Sequence, residues 1–417
     1  MEYNTCTLST GLRVIHLPLA SEVVYCGYAI AAGSRHEEPG KEGMAHFCEH
    51  ASFKGTAKHS AFQLINSLEI VGGETNAFTN KEYTVYYASV LKAHLPRAVD
   101  LLSDLVFRSV YPQNELEKEA EVICDEIESY NDSPSELIYD DFENLLFKGH
   151  PLGHNILGTA QNVRAFTRTD ALAFTQKHYL PANAVFFAYG DVPFARLVKL
   201  LEKATLGVPS AEPCPLLPLR MPLPPLQEGL FKTIEKPTHQ AHVMMGCRTF
   251  GADDPRRMAL YLLNNMLGGP GMNARLSLSL REKRGLVYTV ESSMVCYADT
   301  GLWSVYFGCD PHDVPQCLRL VRSELRKLSQ KALSPAAIRR AKRQLKGQIG
   351  VACDNNESFA LDFSRVYLQS GKAKKVADTY AKIDALTPEE LLAVAREMLD
   401  PDRMCTLLYA PSAQTLG

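Results

Sequence analysis

An internal repeat constrains this chain more than any other feature, because it divides the chain into two related halves. The segment 166–191 (FTRTDALAFTQKHYLPANAVFFAYGD) aligns without a gap on the segment 386–411 (LTPEELLAVAREMLDPDRMCTLLYAP), which lies 220 residues later. Each segment combines a capped amphipathic helical pattern, a turn with proline and an apolar run typical of a β-strand. The matching positions are Thr167 and Thr387, Leu172 and Leu392, Pro181 and Pro401, and Tyr189 and Tyr409. The repeat predicts two homologous domains.

A proline-rich stretch at 208–229 lies between the halves. It contains seven prolines, and each proline restricts itself and the residue before it to extended backbone. A semi-rigid extended connector is therefore expected at 208–229. The predicted domains are residues 1–207 and residues 230–417.

Within each half, strand-like runs alternate irregularly with long helical patterns. The clearest strand patterns are 23–33, 81–90 and 241–251, and the clearest helical patterns are 93–108 and 114–129. This irregular order predicts an α+β fold, in which each domain is a mostly antiparallel sheet packed with helices. The strand order cannot be derived from this pattern.

Composition excludes several classes of protein. The net charge is −3, so no overall basic field favours nucleic acid. One basic stretch, 319–346, has ten Lys or Arg and a single acid, and we interpret it as solvated helix faces, or as a positive wall for acidic peptides. No apolar run reaches the roughly 18 residues of a membrane span, and the first residues show no secretory pattern. The 11 cysteines form no C-x-x-C pair, which favours a reducing, cytoplasmic location.

The sharpest local signal is the run His46-Phe47-Cys48-Glu49-His50. In a helix each residue advances about 100°, which places His46, Glu49 and His50 on one arc about 100° wide. Two histidines at i and i+4 can bind one Zn²⁺, and a neighbouring carboxylate can activate water. This is the H-x-x-E-H arrangement of inverted zinc peptidases. The alternative is a solvated helix face with two histidines and a glutamate.

A third ligand is expected on the acidic helical pattern 115–128 (ELEKEAEVICDEIE). Glu119 and Glu126 are seven residues apart, so they project from nearly the same face, two turns from each other. One of them can bind the metal while the other accepts a hydrogen bond from a metal-binding histidine. Without the histidine motif, this pattern would be read as a solvated acidic helix.

These residues resemble the pitrilysin/insulinase family of inverted zinc peptidases. The chain is most similar to the short two-domain type, such as the β-subunit of mitochondrial processing peptidase and its bacterial homologues. That family has a glutamate ligand roughly 75 residues after its HxxEH motif, and Glu126 lies 76 residues after His50. The resemblance covers nearly the whole chain. It implies His46, His50 and Glu126 as zinc ligands, Glu49 as general base and Glu119 as a supporting residue, with one Zn²⁺ per chain.

Two further stretches match the family. The run Asn76-Ala77-Phe78-Thr79 resembles the edge strand on which family members pair an extended peptide by β-augmentation. Arg281 and Tyr288 match an Arg/Tyr pair that holds the substrate backbone and polarises the scissile carbonyl. Without the resemblance, these residues would be an ordinary strand, a surface charge and a strand tyrosine. The second half carries YLLNNML at 261–267 and no HxxEH motif, so only the first half is expected to bind zinc.

The predicted function is that of a zinc metalloendopeptidase acting on peptides or unfolded protein segments. Zinc would lower the pKa of a water molecule, and Glu49 would take its proton and later pass it to the leaving amine. By resemblance, the chain should pair with a second chain to enclose its substrate, as a homodimer or as a heterodimer with an inactive paralogue. The alternative is a non-catalytic structural or peptide-binding subunit of the same fold.

Overall fold

The computed structural model describes residues 2–209 and 221–411. The chain forms two compact units, and each includes a segment from the other half of the sequence. Unit 1 consists of the described residues within Met1–Glu128, His154–Leu219 and Ala352–Lys374. Unit 2 consists of those within Ser129–Gly153, Arg220–Val351 and Lys375–Gly417. The domain bounds 1–207 and 230–417 stay a prediction, and residues 210–220 of the expected connector lie outside the described residues.

The elements follow each other in irregular order. The strands are β1 Asn4–Thr7, β2 Arg13–Leu17, β3 Val23–Ile30, β4 Glu74–Thr79, β5 Thr84–Leu91, β6 Ala184–Tyr189, β7 Phe231–Lys236, β8 Ala241–Thr249, β9 Val287–Cys296, β10 Gly301–Cys309 and β11 Cys405–Pro411. The helices are α1 Met44–Ser52, α2 Ala61–Glu69, α3 Leu95–Arg108, α4 Gln113–Asn131, α5 Pro134–Leu146, α6 Ala160–Ala165, α7 Arg168–His178, α8 Phe194–Ala204, α9 Arg257–Gly268, α10 Val314–Gln330, α11 Pro335–Ala352, α12 Asn356–Ser370, α13 Val376–Ala385 and α14 Pro388–Met398.

Unit 1 is built on a six-stranded sheet in the order β1-β2-β6-β3-β5-β4. Its neighbours pair antiparallel, except that β2 and β6 are parallel. Side chains along a strand alternate between the two faces of the sheet. On β6, Phe186 belongs to the core that includes α1, α3 and α7, whereas Phe187 packs with Phe363 of α12 on the opposite face. Burial on both faces explains why β6 reads as a continuous apolar run.

Unit 2 repeats this plan with five strands in the order β7-β11-β8-β10-β9. Strands β7 and β11 are parallel, and the other neighbours are antiparallel. One face packs on α9, α10 and α14, and the other on α5. The pairing β7-β11-β8-β10-β9 has the same order and directions as β2-β6-β3-β5-β4. The predicted α+β fold of two homologous, mostly antiparallel domains is confirmed.

The strand boundaries differ from the predicted patterns by two or three residues, since β3 ends at Ile30 and β8 ends at Thr249. The alternating pattern at 81–90 predicts a strand from residue 81, but β5 begins at Thr84. The backbone N–H of Asn80 donates to the carbonyl of Tyr83, which closes a hairpin between β4 and β5. Residues 81–83 therefore form a turn.

Across residues 2–209 and 221–411, none of the helices is both long enough and apolar enough to cross a membrane.

Candidate metal centre

Helix α1 carries the H-x-x-E-H run, and its first turn is held by a carboxylate from outside the helix. Glu37 accepts hydrogen bonds from the backbone N–H groups of Gly43 (3.0 Å) and Ala45 (2.8 Å). His154 Nε2 lies 2.9 Å from the same carboxylate. Burial raises the pKa of Glu37, although these hydrogen bonds partly offset the shift. An anionic acceptor at this end satisfies free N–H groups and complements the helix dipole, so Glu37 orients α1.

Three side chains of unit 1 converge at the predicted metal position. His46, His50 and Glu126 each offer one donor atom, and the three atoms lie within 4.8 Å of one another. Oε2 of Glu126 lies 3.7 Å from Nε2 of His46 and 3.6 Å from Nε2 of His50. The histidines come from α1 and the glutamate from α4. The structure therefore brings together residues that are 76 positions apart in the chain.

His50 is oriented by Glu119, the other glutamate named in the sequence analysis. Nδ1 of His50 lies 2.9 Å from Oε1 of Glu119, and Nζ of Lys54 lies 2.5 Å from Oε2 of the same carboxylate. Burial alone would raise the pKa of Glu119, but the hydrogen bonds from His50 and Lys54 outweigh it and lower the pKa. An ionised Glu119 accepts a hydrogen bond from the Nδ1–H group of His50. This favours the tautomer in which Nε2 is unprotonated and its lone pair points at the site.

His46 is kept neutral by a different cause. Its side chain is buried, and burial lowers its pKa to about 3, with the charge of His50 contributing in the same direction. A neutral imidazole is the form that binds a metal. In the described part of the chain, Nδ1 of His46 has no hydrogen-bond partner. The two histidines are thus supported unequally, one by a carboxylate and one by packing.

Glu49 lies on the same face of α1 and is only 7% exposed. Its Oε2 accepts a hydrogen bond of 2.6 Å from Oγ1 of Thr79. Burial raises its pKa, although the bond from Thr79 partly offsets that shift. A raised pKa makes a carboxylate a better proton acceptor near neutral pH.

The donor set fits Zn²⁺. Two imidazole nitrogens and one carboxylate oxygen are ligand types that zinc prefers, and three protein ligands leave a fourth position for water or substrate. Nε2 of each histidine faces Glu126, and Nδ1 of His50 is hydrogen-bonded to the carboxylate of Glu119. This arrangement is expected of a histidine–zinc site. The Cys48 thiol does not join this set, because it is buried against Met44 and the carbonyl of Ala171.

The predicted peptide-binding run lies on an edge strand. Residues Asn76, Ala77, Phe78 and Thr79 belong to β4, which pairs with β5 and has no second neighbour among the described strands. Ala77 packs on the core that includes α1, and Phe78 packs on the opposite face with Tyr87. Helix α1 packs beside this strand. The open edge of β4 and the histidine helix are therefore neighbours within unit 1.

Arg281 and Tyr288 both line a cavity of about 700 Å³ in unit 2. Arg281 lies in a short helical turn, Ser277–Glu282, where its Nε donates to Oε1 of Glu282 at 2.8 Å. Tyr288 lies near the start of β9, and its side chain is 86% exposed. The structure brings this pair to one cavity, and its role in substrate binding stays a prediction.

Three residues of the site were missed by the sequence analysis. Lys54 follows α1 and neutralises Glu119, while Glu37 and His154 hold the first turn of α1. Lys54 lies four residues after His50, and that spacing was the one clue available. Glu37 and His154 are 117 positions apart, so no local pattern could pair them.

Comparisons with known proteins identify the family of this chain. The family model described as Insulinase (Peptidase family M16) matches residues 16–160, and the model described as Peptidase M16 inactive domain matches residues 165–345.

Curated relatives match almost the whole chain. A protein of Streptomyces coelicolor named an uncharacterized zinc protease is 36% identical over 400 residues, covering 94% of this chain and 86% of the relative. The mitochondrial-processing peptidase subunit beta of Saccharomyces cerevisiae is 30% identical over 408 residues, covering 95% of this chain and 88% of the relative.

Among solved structures, a protease from Helicobacter pylori has the same fold. Its TM-score is 0.90 at 23% identity, and the match covers 98% of this chain and 99% of that chain. The family models and the relatives together span both halves of the sequence. The chain belongs to the insulinase (M16) family of peptidases.

Proposed function

We propose that this protein is a zinc-dependent metalloendopeptidase that hydrolyses peptides or unfolded protein segments. The observation that carries the proposal is the convergence of His46, His50 and Glu126 beside a buried Glu49. The relatives named zinc proteases support the same activity class. Each chain would hold one Zn²⁺ on these three ligands.

A bound Zn²⁺ supplies a Lewis acid that acidifies water and polarises a peptide carbonyl. Glu49 acts as the general base: its raised pKa suits it to accept a proton and to return that proton to the leaving amine. Glu119 keeps His50 in the tautomer that presents Nε2. Burial keeps His46 neutral, so its imidazole does not repel a cation.

Substrate would bind as an added strand. The free edge of β4 presents backbone N–H and C=O groups, and these pair with an extended peptide whatever its side chains. This mode requires a segment that can lie fully extended, which favours unfolded polypeptide over folded protein. The side chains of Asn76 and Phe78 flank the strand and would contact the peptide.

Arg281 and Tyr288 are proposed to complete substrate binding, Arg281 by holding the peptide backbone and Tyr288 by stabilising the oxyanion. Both belong to unit 2, and we propose that they serve a zinc site within a dimer. A homodimer would be self-sufficient, because each chain carries both sets of residues. A heterodimer with an inactive paralogue is the alternative assembly, and the relative named a subunit of a processing peptidase is consistent with it. A cytoplasmic location is proposed from the sequence.

The test is hydrolysis of a quenched fluorescent peptide library by the wild type, Glu49→Gln and a control variant, Glu117→Gln. Glu117 is an exposed glutamate on α4 outside the ligand set. We expect cleavage by the wild type and the control, a loss of roughly 10³-fold in Glu49→Gln, and about one zinc per chain in all three. Zinc binding without cleavage by the wild type would favour the non-catalytic alternative, and absence of zinc would refute the proposal.

A further inference from the structure

Thr79 is the last residue of the edge strand β4, and its side chain contacts the general base. Its Oγ1 lies 2.6 Å from Oε2 of Glu49, the length of a strong O–H···O⁻ hydrogen bond. The sequence analysis had placed Thr79 with the substrate-binding residues. The structure shows that its hydroxyl is already used within unit 1.

The direction of this hydrogen bond follows from a neighbouring threonine. Across the strand pair, Thr84 faces Thr79, and the two hydroxyl oxygens are 3.4 Å apart. Oγ1 of Thr84 donates its own proton to the carbonyl of Ala32 at 2.8 Å. Thr84 can therefore only accept, and the carboxylate of Glu49 is the closer and stronger acceptor for the proton of Thr79.

We propose that Thr79 is a positioning residue that holds the carboxylate of Glu49 and ties it to the strand that receives the peptide. This inference rests on the proposed function. Successive residues of a strand face opposite sides, so Ala77 and Thr79, two positions apart, share the face toward the core that includes α1. The backbone of β4 keeps its free edge. One residue thus sets the distance between a peptide paired on β4 and the group that moves the proton.

The substitutions are chosen to separate the hydroxyl from the volume of the side chain. Thr79→Val keeps the shape and the β-branch but removes the donor, whereas Thr79→Ser keeps the donor and loses a methyl group. Thr7→Val is the matched control, because Thr7 lies on β1, the opposite edge strand of the same sheet. Thr79→Ala serves as the second donor-free variant if Thr79→Val does not fold.

We expect Thr79→Val to lower kcat about 10- to 100-fold, because misplacing a reacting group by about 1 Å has an effect of that size. KM should stay within about twofold, since the backbone edge that binds the peptide is unchanged. Thr79→Ser should recover kcat to within about threefold of the wild type, and Thr7→Val should match the wild type. Zinc content should be the same in all variants. Wild-type kcat in Thr79→Val, or no recovery in Thr79→Ser, would overturn the inference.

A second measurement does not depend on turnover. The infrared difference spectrum between the wild type and Glu49→Gln isolates the carboxylate stretch of Glu49, and the same difference is recorded in the Thr79→Val background. Loss of the donor should shift this band, and an unshifted band would overturn the inference. If the wild type cleaves no peptide, the proposed function fails, and the infrared result still decides whether Thr79 holds Glu49.

Discussion

Helices α1 and α9 occupy the same place in the two units, but they use their polar side chains for different purposes. Each helix is the first long helix after a central strand, β3 or β8, and each packs beside the edge strand of its sheet, β4 or β9. On α1, His46, Glu49 and His50 face a common site with Glu126. On α9, the buried polar residues are Asn264 and Asn265.

Asn264 of α9 supports the sheet of unit 2. Oδ1 of Asn264 accepts a hydrogen bond of 2.8 Å from Nε1 of the buried Trp303 on β10. The Ser292 hydroxyl on β9 donates to the carbonyl of Asn264 at 3.0 Å. The same framework is therefore used twice, and a few side chains on one helix distinguish a candidate metal site from a helix that stabilises the core.

The largest expected effect concerns the metal set of unit 1. Glu126→Gln removes the anionic ligand, so zinc affinity should collapse and peptide hydrolysis should fall on the order of 10³-fold or more. Asp125→Asn is the matched control, because Asp125 is the exposed neighbour of Glu126 on α4 and lies outside the set. Zinc is counted by elemental analysis alongside the hydrolysis rate. Full zinc content in Glu126→Gln would show that Glu126 is not a ligand, and would contradict the proposed difference between the two units.

A smaller effect is expected in unit 2. Asn264→Ala leaves the indole N–H of Trp303 buried without its acceptor, which should lower the free energy of unfolding by about 1–3 kcal/mol. Trp303 is the single tryptophan of the chain, so its fluorescence reports on unit 2 during urea unfolding. Asn265→Ala is the matched control on the next residue of α9, and zinc content should be unchanged in both variants. Equal stability of the two variants would contradict the structural role of Asn264.

The smallest expected effect concerns two buried glutamates, one in each unit. Glu119 in unit 1 and Glu324 in unit 2 are both buried beside a lysine, but Glu324 contacts Lys327 (2.6 Å) and Arg275 (3.0 Å) instead of a histidine. Burial alone would raise the pKa of Glu324, and its hydrogen bonds to these cations outweigh it, so the pKa lies below its ordinary value of 4.5.

A carboxylate whose pKa is lowered in the folded state contributes stability when the pH is above its ordinary pKa. That contribution is lost as the pH falls through the lowered pKa. Glu324→Gln should therefore lower the free energy of unfolding by about 1 kcal/mol at pH 7. The difference from the wild type should shrink as the pH falls below 4.5, which urea titrations between pH 7 and pH 3 would show. A difference that persists at low pH would mean that packing, and not charge, is responsible.

Local spacing was enough to predict part of the site. His46, Glu49 and His50 share a face because a helix advances about 100° per residue, and the structure places them on α1 as that rule requires. Glu126 lies 76 residues beyond His50, so local periodicity left it open between two glutamates, and the family resemblance favoured it. Thr79 was placed with the substrate-binding strand by resemblance, and a strand pattern does not reveal which helix its side chain will contact.

Periodicity likewise predicted several elements of the fold, but it did not predict which sheet each helix covers. Helices α5 and α12 are amphipathic, and their apolar faces contain no signal that selects a partner. In the structure α12 packs on the sheet of unit 1 and α5 packs on the sheet of unit 2. Each helix therefore packs on strands from the other half of the sequence.

The sequence was enough to predict the repeated α+β plan. It also showed that the metal motif lies in the first half and not in the second. These features follow from the short-range spacing of residue types. Only the tertiary structure reveals the strand order, the exchange of α5 and α12, the contact between Lys54 and Glu119, and the hydrogen bond between Thr79 and Glu49. Each of these joins residues that are distant in the chain. Such contacts depend on how apolar surface is buried and packed over the whole molecule. A local sequence pattern does not contain that information.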